Sequence, residues 1–102
     1  MDDLTMERVE VKVGAKFKVI GRITTVNERY FEKMLTDVLE IGFSRIVLNM
    51  QEVTLMTSIG IRIILKTYKS CMEAGGKLQI EDPSEVVKNV LGLSALQQMM
   101  VN

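Results

Sequence analysis

One short segment limits the fold more than any other. It is Ser44-Arg45-Ile46-Val47-Leu48-Asn49-Met50, followed after a turn by a long apolar-rich stretch from Ser58 to Ala74. A continuous apolar run of that length is short for a helix and reads as a strand of the kind buried on both faces of a sheet. The stretch behind it has helical spacing and ends at Gly75-Gly76, where a left-handed stop is easy. A buried strand feeding a long helix is the beginning of an α/β architecture.

The rest of the chain extends that order. Val9, Val11 and Val13 alternate with Arg8, Glu10 and Lys12, the period of a half-buried strand placed at or beside a sheet edge. Gly14-Ala15 reads as a hairpin turn, and Phe17, Val19 and Gly21 share one face of a second strand ending near Ile23. Thr25 with Glu28 three places on reads as a capping box for a helix over 25–41, with the stripe Phe31, Met34, Leu35, Val38 and the stop Gly42. After the long helix, "KLQIE" reads as a short strand. Asp82, Pro83 and Glu85 then supply an N-cap, an N1 proline and an N3 acid for a helix over 83–91, with Val86, Val87, Val90 and Leu91 as its stripe and Gly92 as its stop. Met99–Val101 reads as a last strand. The expected fold is α/β, one domain over residues 1–102: a mixed sheet of four or five strands with helices packed on it.

Several function classes are excluded by what the 102 residues lack. There is no histidine, so neither a Ser-His-Asp nor a Cys-His nucleophile is available, nor a His-ligated zinc. The single cysteine, Cys71, forms no internal disulfide and no thiolate cage, which suits a cytoplasmic chain. Formal net charge is zero with no basic run, which weighs against nucleic acid and anionic membrane as partners. No window approaches the ~18 apolar residues of a membrane span, and "MDDLTMERVE" lacks the apolar core of a secretion signal. Glu28 and Glu52 show no spacing suited to paired acid–base work. No metal or cofactor is expected.

The start of the long helix, Thr57-Ser58-Ile59-Gly60, holds the most pointed feature. Thr57 or Ser58 can cap the first turn. Capping leaves Gly60 unexplained, since glycine costs about 1 kcal/mol against alanine inside a helix. Gly60 fits a helix N-terminus that something approaches closely, and a phosphate is physically suited to such a place. On a helical wheel Ile61, Ile64, Leu65, Tyr68, Cys71 and Met72 form the face for the sheet. Ile59 and Ile63 fall instead among Arg62, Lys66, Lys69 and Ser70. Two readings are open: isolated surface isoleucines, or a partner-docking pair ringed by cations.

The stretch "RIVLNMQEVTLMTSIGIRIILKTYKSCMEAGGKLQIEDPSEVVKNVLGLSAL" resembles the STAS domain of bacterial anti-sigma factor antagonists. The likeness lies in the order of apolar strand, small-residue turn ending in x-Gly, long helix, Gly-Gly, strand and closing "GLSAL", and "KVIGRITTVNERYFEKML" is similar to the family's earlier Gly-x-Leu-Asp helix entry. The resemblance implies a STAS-like fold and a non-enzymatic, partner-switching role. The partner would be an anti-sigma factor that is also a serine kinase, which phosphorylates the first serine of an Asp-Ser-Ser/Thr-Gly turn. Position by position Ser58 falls on that serine, Ile59 on the second hydroxyl and Gly60 on the glycine. Thr57 and Thr24 fall where the family has its two pocket aspartates. The implied site is therefore Ser58 with the pocket Thr24, Thr57 and Gly60, and a partner surface of Ile59, Arg62, Ile63 and Lys66.

Two other classes remain beside this one. A STAS subunit of another assembly, such as a signalling scaffold or lipid-transport complex, would need no phosphorylation. A small nucleotide-dependent enzyme would rest on "EAGGKL", which is superficially similar to a phosphate-binding loop; but Cys71 stands where its first glycine belongs, Leu78 replaces Ser/Thr, and the motif ends a helix instead of opening one. The chain stops near the expected last strand, so an apolar surface around Leu96, Met99 and Met100 is expected to support a weak homodimer.

Overall fold

Short alternating segments of strand and helix pattern dictate a sheet built by repeated crossovers, and the computed structural model, which describes residues 4–92 and 100–101, has that form. The elements are β1 (Leu4–Val9), β2 (Ala15–Ile23), α1 (Glu28–Ile41), β3 (Arg45–Met56), α2 (Ser58–Glu73), β4 (Lys77–Glu81), α3 (Glu85–Gly92) and β5 (Met100–Val101). The sheet order is β1-β2-β3-β4-β5, with β1 antiparallel to β2 and every other neighbour pair parallel. The expected mixed α/β sheet is present.

Each crossover (β2–α1–β3, β3–α2–β4, β4–α3–β5) steps the same way across the sheet. Right-handed connections then put all three helices on one face. There Phe17, Val19, Ile46, Leu48, Leu78 and Ile80 of the strands form one buried cluster with Phe31, Leu35, Ile64, Cys71, Val87 and Leu91 of the helices. Each such large side chain contributes about 1.5–3 kcal/mol by leaving water.

The same topology corrects the reading of residues 44–50 as a strand buried on both faces. Ile46, Leu48 and Met50 are buried, but Arg45 is exposed, and Val47 and Asn49 are half-buried on a side that no helix among the described residues reaches. That open face is held by charge: Lys16 pairs with Glu81 at 2.8 Å and Lys18 with Glu52 at 2.9 Å.

Other boundaries move for local reasons. The first strand is an edge strand, as expected, but lies earlier than Val9–Val13. Met6 is buried opposite Val19, while Val11 and Val13 sit exposed in the connection to β2. Gly14, with φ +80, is required there, because a Cβ would overlap the Arg45 carbonyl. The capping box at Thr25/Glu28 does not form. Buried Asn27 ends the turn instead: its Oδ1 accepts from the Thr24 N–H at 3.0 Å and its Nδ2 donates to the Arg22 carbonyl at 2.7 Å. Gly42 stops α1 in the left-handed conformation, its N–H bonded to the Leu39 carbonyl. Before α3 the capping residue is Ser84, not Asp82: the Ser84 hydroxyl donates to the Val53 carbonyl at 2.6 Å and accepts from the Val87 N–H at 3.3 Å. Pro83 thus precedes the cap and is not at N1, and Gly92 lies within α3. β5 falls within the strand expected over 99–101, whereas Leu96 and Met99, and the side chain of Met100, lie outside the described residues, as does the expected apolar contact surface.

Candidate functional site

β3 outlasts β4, which pairs only with Arg45–Asn49. Beyond that point β3 keeps pairing with β2, with register shifts between Lys18 and Ile20 and between Gly21 and Arg22. The extra residues on β3 change its buried spacing from two to three, so Met50, Val53 and Met56 all face the helices. The sequence reading ends the strand at Met50 because the apolar run stops there, at Gln51-Glu52.

β3 delivers Thr57 to the end of β2. The Thr57 N–H donates to the Ile23 carbonyl at 3.1 Å, and its hydroxyl reaches the same oxygen at 3.4 Å. Thr24 follows Ile23 directly, so the two threonines meet at the C-terminal ends of neighbouring parallel strands, the end where open α/β sheets carry ligand and partner sites. Both hydroxyls serve the fold. Thr24 Oγ1 accepts from the Val26 N–H at 3.2 Å. Thr57 does not cap α2 through its side chain; only its carbonyl joins the helix, accepting from Gly60 at 3.0 Å.

Ser58 opens α2 and is exposed. Among the described residues its hydroxyl has no hydrogen-bond partner, so it is not a cap either. Gly60 is buried, and the close approach that requires it is internal: a Cβ would stand 2.7 Å from Met56 Cγ and 3.0 Å from Ile23 Cγ2. The expectation of an outside group passing over Gly60 is corrected accordingly.

The helical wheel also needs correction. The buried stripe of α2 is Gly60, Ile63, Ile64, Thr67 and Cys71. Ile63 is only 5% exposed, so it is core and not surface. Ile59 is half-buried, and Met72, assigned to the sheet face, is 51% exposed. The cause is a second neighbour. α2 packs against α1 as well as the sheet, and Lys66 Nζ meets Glu32 Oε2 of α1 at 2.8 Å on that flank. Thr67 can be buried there because its hydroxyl donates to the Ile63 carbonyl at 2.8 Å. Arg62 is exposed, as expected.

The structure adds one residue that the sequence reading missed. Val26, in the turn between Thr24 and Asn27, is 77% exposed beside the corner where Thr24 and Thr57 meet. Its signal was a β-branched apolar residue inside a polar turn. Cys71 is buried, and burial pushes its thiol pKa up. Among the described residues no group of three or more acidic, cysteine or histidine side chains could hold a metal, and no helix is long and apolar enough to cross a membrane.

The fold is similar to solved anti-sigma factor antagonists. SpoIIAA in its unphosphorylated form matches with a TM-score of 0.83 at 16% identity, over 97% of this chain and 86% of that one. An anti-sigma factor antagonist from Mycobacterium paratuberculosis matches with a TM-score of 0.85 at 17% identity, over 96% and 83%. The Bacillus cell fate determinant SpoIIAA in its phosphorylated form matches with a TM-score of 0.77 at 15% identity, over 97% and 89%. At such identities the likeness shows the fold alone. No curated protein matches the sequence. The family profile of the STAS domain, however, matches residues 7–101. That span takes in the corner at Thr24 and Thr57, the open start of α2 and every strand but the first residues of β1; this chain belongs to the STAS domain family.

Proposed function

We propose that this domain is an anti-sigma factor antagonist-like interaction module, not an enzyme, that switches partners through the start of α2. The observation that carries the reading is Ser58: an exposed hydroxyl with no partner among the described residues, at the helix N-terminus, in a family whose solved fold relatives include an antagonist in phosphorylated and unphosphorylated forms. The partner is an anti-sigma factor of the serine-kinase type, and its docking surface comprises Ser58, Arg62, the exposed part of Ile59 and Val26. Buried Ile63 takes no direct part, and Lys66 contributes through its bridge to α1.

A phosphate on Ser58 brings about −1.5 to −2 charges. At the N-terminus of α2 it is favoured by roughly 0.3–1 kcal/mol, so it leaves the helix standing. The switch therefore acts across the interface, by bulk and charge against the partner. Ser58→Asp is expected to keep the circular dichroism spectrum and lose affinity for a kinase-type anti-sigma factor from the same cell, while Ser58→Ala binds as the unaltered protein does. Equal binding by all three would reduce Ser58 to the first residue of a helix.

One observation favours a second reading, a STAS scaffold in a signalling or lipid-transport assembly that is not phosphorylated. Neither turn residue beside Ser58 is a carboxylate, and the hydroxyls of Thr24 and Thr57 are spent on the turn itself. Threonine neither orients an acceptor by charge nor meets a kinase-bound metal as aspartate does. Mass spectrometry after incubation with the kinase and ATP separates the readings: one added phosphate on Ser58 supports switching, and its absence with binding retained supports the scaffold.

A further inference from the structure

The open face of the sheet contains a recess at the opposite end of β3 from Ser58. Arg45 and Lys77 stand directly opposite each other in the parallel register of β3 and β4. Both are exposed, and among the described residues neither has an ion-pair partner. Like charges opposed across a ladder destabilise it. The other lysines of this face are neutralised, Lys16 by Glu81 and Lys18 by Glu52, which makes the bare pair an exception. Between and beside the two cations lies a recess of about 470 Å³ with Val47 and Gln79 along it. Val13, 70% exposed in the β1–β2 connection, forms its apolar wall.

We infer that this recess docks an acidic segment of a second protein partner, one whose carboxylates lie beside apolar side chains. Charge complementarity selects the occupant: two unneutralised cations take one or two carboxylates, and Val13 and Val47 take the neighbouring apolar groups. A second copy of the chain is disfavoured, because a two-fold contact would set Arg45 and Lys77 against the same cations. Two cations on a chain of zero net charge are also too few to track a nucleic acid backbone. The site is separate from the Ser58 corner: Arg45 begins the 12-residue β3 and Met56, next to the corner, ends it, so the two lie at opposite ends of one strand. One domain can therefore hold two partners at once, whether or not Ser58 is phosphorylated.

The test is a titration of the isotope-labelled protein, followed by amide NMR, with an acetylated hexapeptide of alternating leucine and glutamate. Shifts are expected at Val13, Arg45, Val47, Lys77 and Gln79 and not at Ser58 to Arg62. Binding should weaken about tenfold or more in Arg45→Glu/Lys77→Glu. The corresponding leucine–lysine peptide should not bind. Lys77→Glu alone should raise Tm by a few degrees, because it converts an opposed like-charge pair into an ion pair, while also weakening the peptide. Peptide shifts that survive the double reversal, or that map to the Ser58 corner, would overturn the inference. So would equal shifts with octanoate, which would make this a small-carboxylate site, with a thymidine decanucleotide, or on mere concentration of the protein.

Discussion

Ile63 shows how far a residue's role could be read from the chain. Its type and helical setting were legible; its direction was not. The wheel centres the buried face on the densest apolar residues, among them Ile61, Leu65, Tyr68 and Met72, and gives Gly60 and Thr67 no place on either face. The actual centre runs through those two small residues, because α1 crowds that flank and a hydroxyl can be buried when it bonds to the carbonyl one turn back. Gly60 was legible as a close-approach glycine, but the approaching atoms belong to Met56 and Ile23. Truncating Ile63 should accordingly create a cavity. Ile63→Ala is expected to cost about 2–5 kcal/mol in urea denaturation, against roughly 1 kcal/mol for half-buried Ile59→Ala. Equal, small losses at both positions would restore the surface reading.

At the scale of elements, the sequence announced every helix and strand but placed several ends wrongly, and the errors share a cause. Periodicity sees pairing partners only when the register is regular. β3 was cut at Met50 because bulges change its spacing, and β1 was displaced toward Val13 because an exposed valine alternation resembles a strand. Nor could periodicity show that β3 and β4 have one wet face, where polar ties replace packing. Glu81 is the centre of those ties: hydrogen bonding to Lys16 first, and to Asn49 second, holds its carboxyl below the ordinary 4.5. A carboxyl depressed in the folded state contributes stability that is complete above its unfolded pKa and is lost as pH falls through the folded one. The stability gap between the unaltered protein and Glu81→Gln should therefore be constant at neutral pH and close as the solution is acidified below 4.5 toward the lowered value. Urea midpoints measured across that range check it; a gap indifferent to pH would mean that the Lys16–Glu81 bridge is not formed in solution.

For the molecule as a whole, sequential strand order and one-sided helices give a layered body with a protected middle and two different borders. β3 is hydrogen-bonded on both sides, and α2 and α3 lie over it, so its backbone should open only when the whole domain unfolds. β1 has one strand neighbour, and its free edge is of the kind that invites pairing with another chain. The Tyr30 side chain guards that edge: the Met6 N–H, on β1, donates to the Tyr30 hydroxyl of α1 at 3.2 Å. Amide hydrogen exchange should thus be slowest at Phe17–Val19 and Ile46–Leu48 and faster along β1. Tyr30→Phe removes the acceptor from a half-covered donor. A hydrogen bond of about 0.5–1.5 kcal/mol corresponds to roughly a two- to tenfold change in a local opening equilibrium. Met6 exchange should accelerate by about that factor while Ile46–Leu48 stays unchanged, because the tyrosine acts at the border and not on the core. If the β3 amides sped up equally, β1 would open only with the whole sheet. An unchanged Met6 rate would mean that burial of the strand, and not the Tyr30 hydroxyl, protects this amide, leaving the tyrosine no part in guarding the edge.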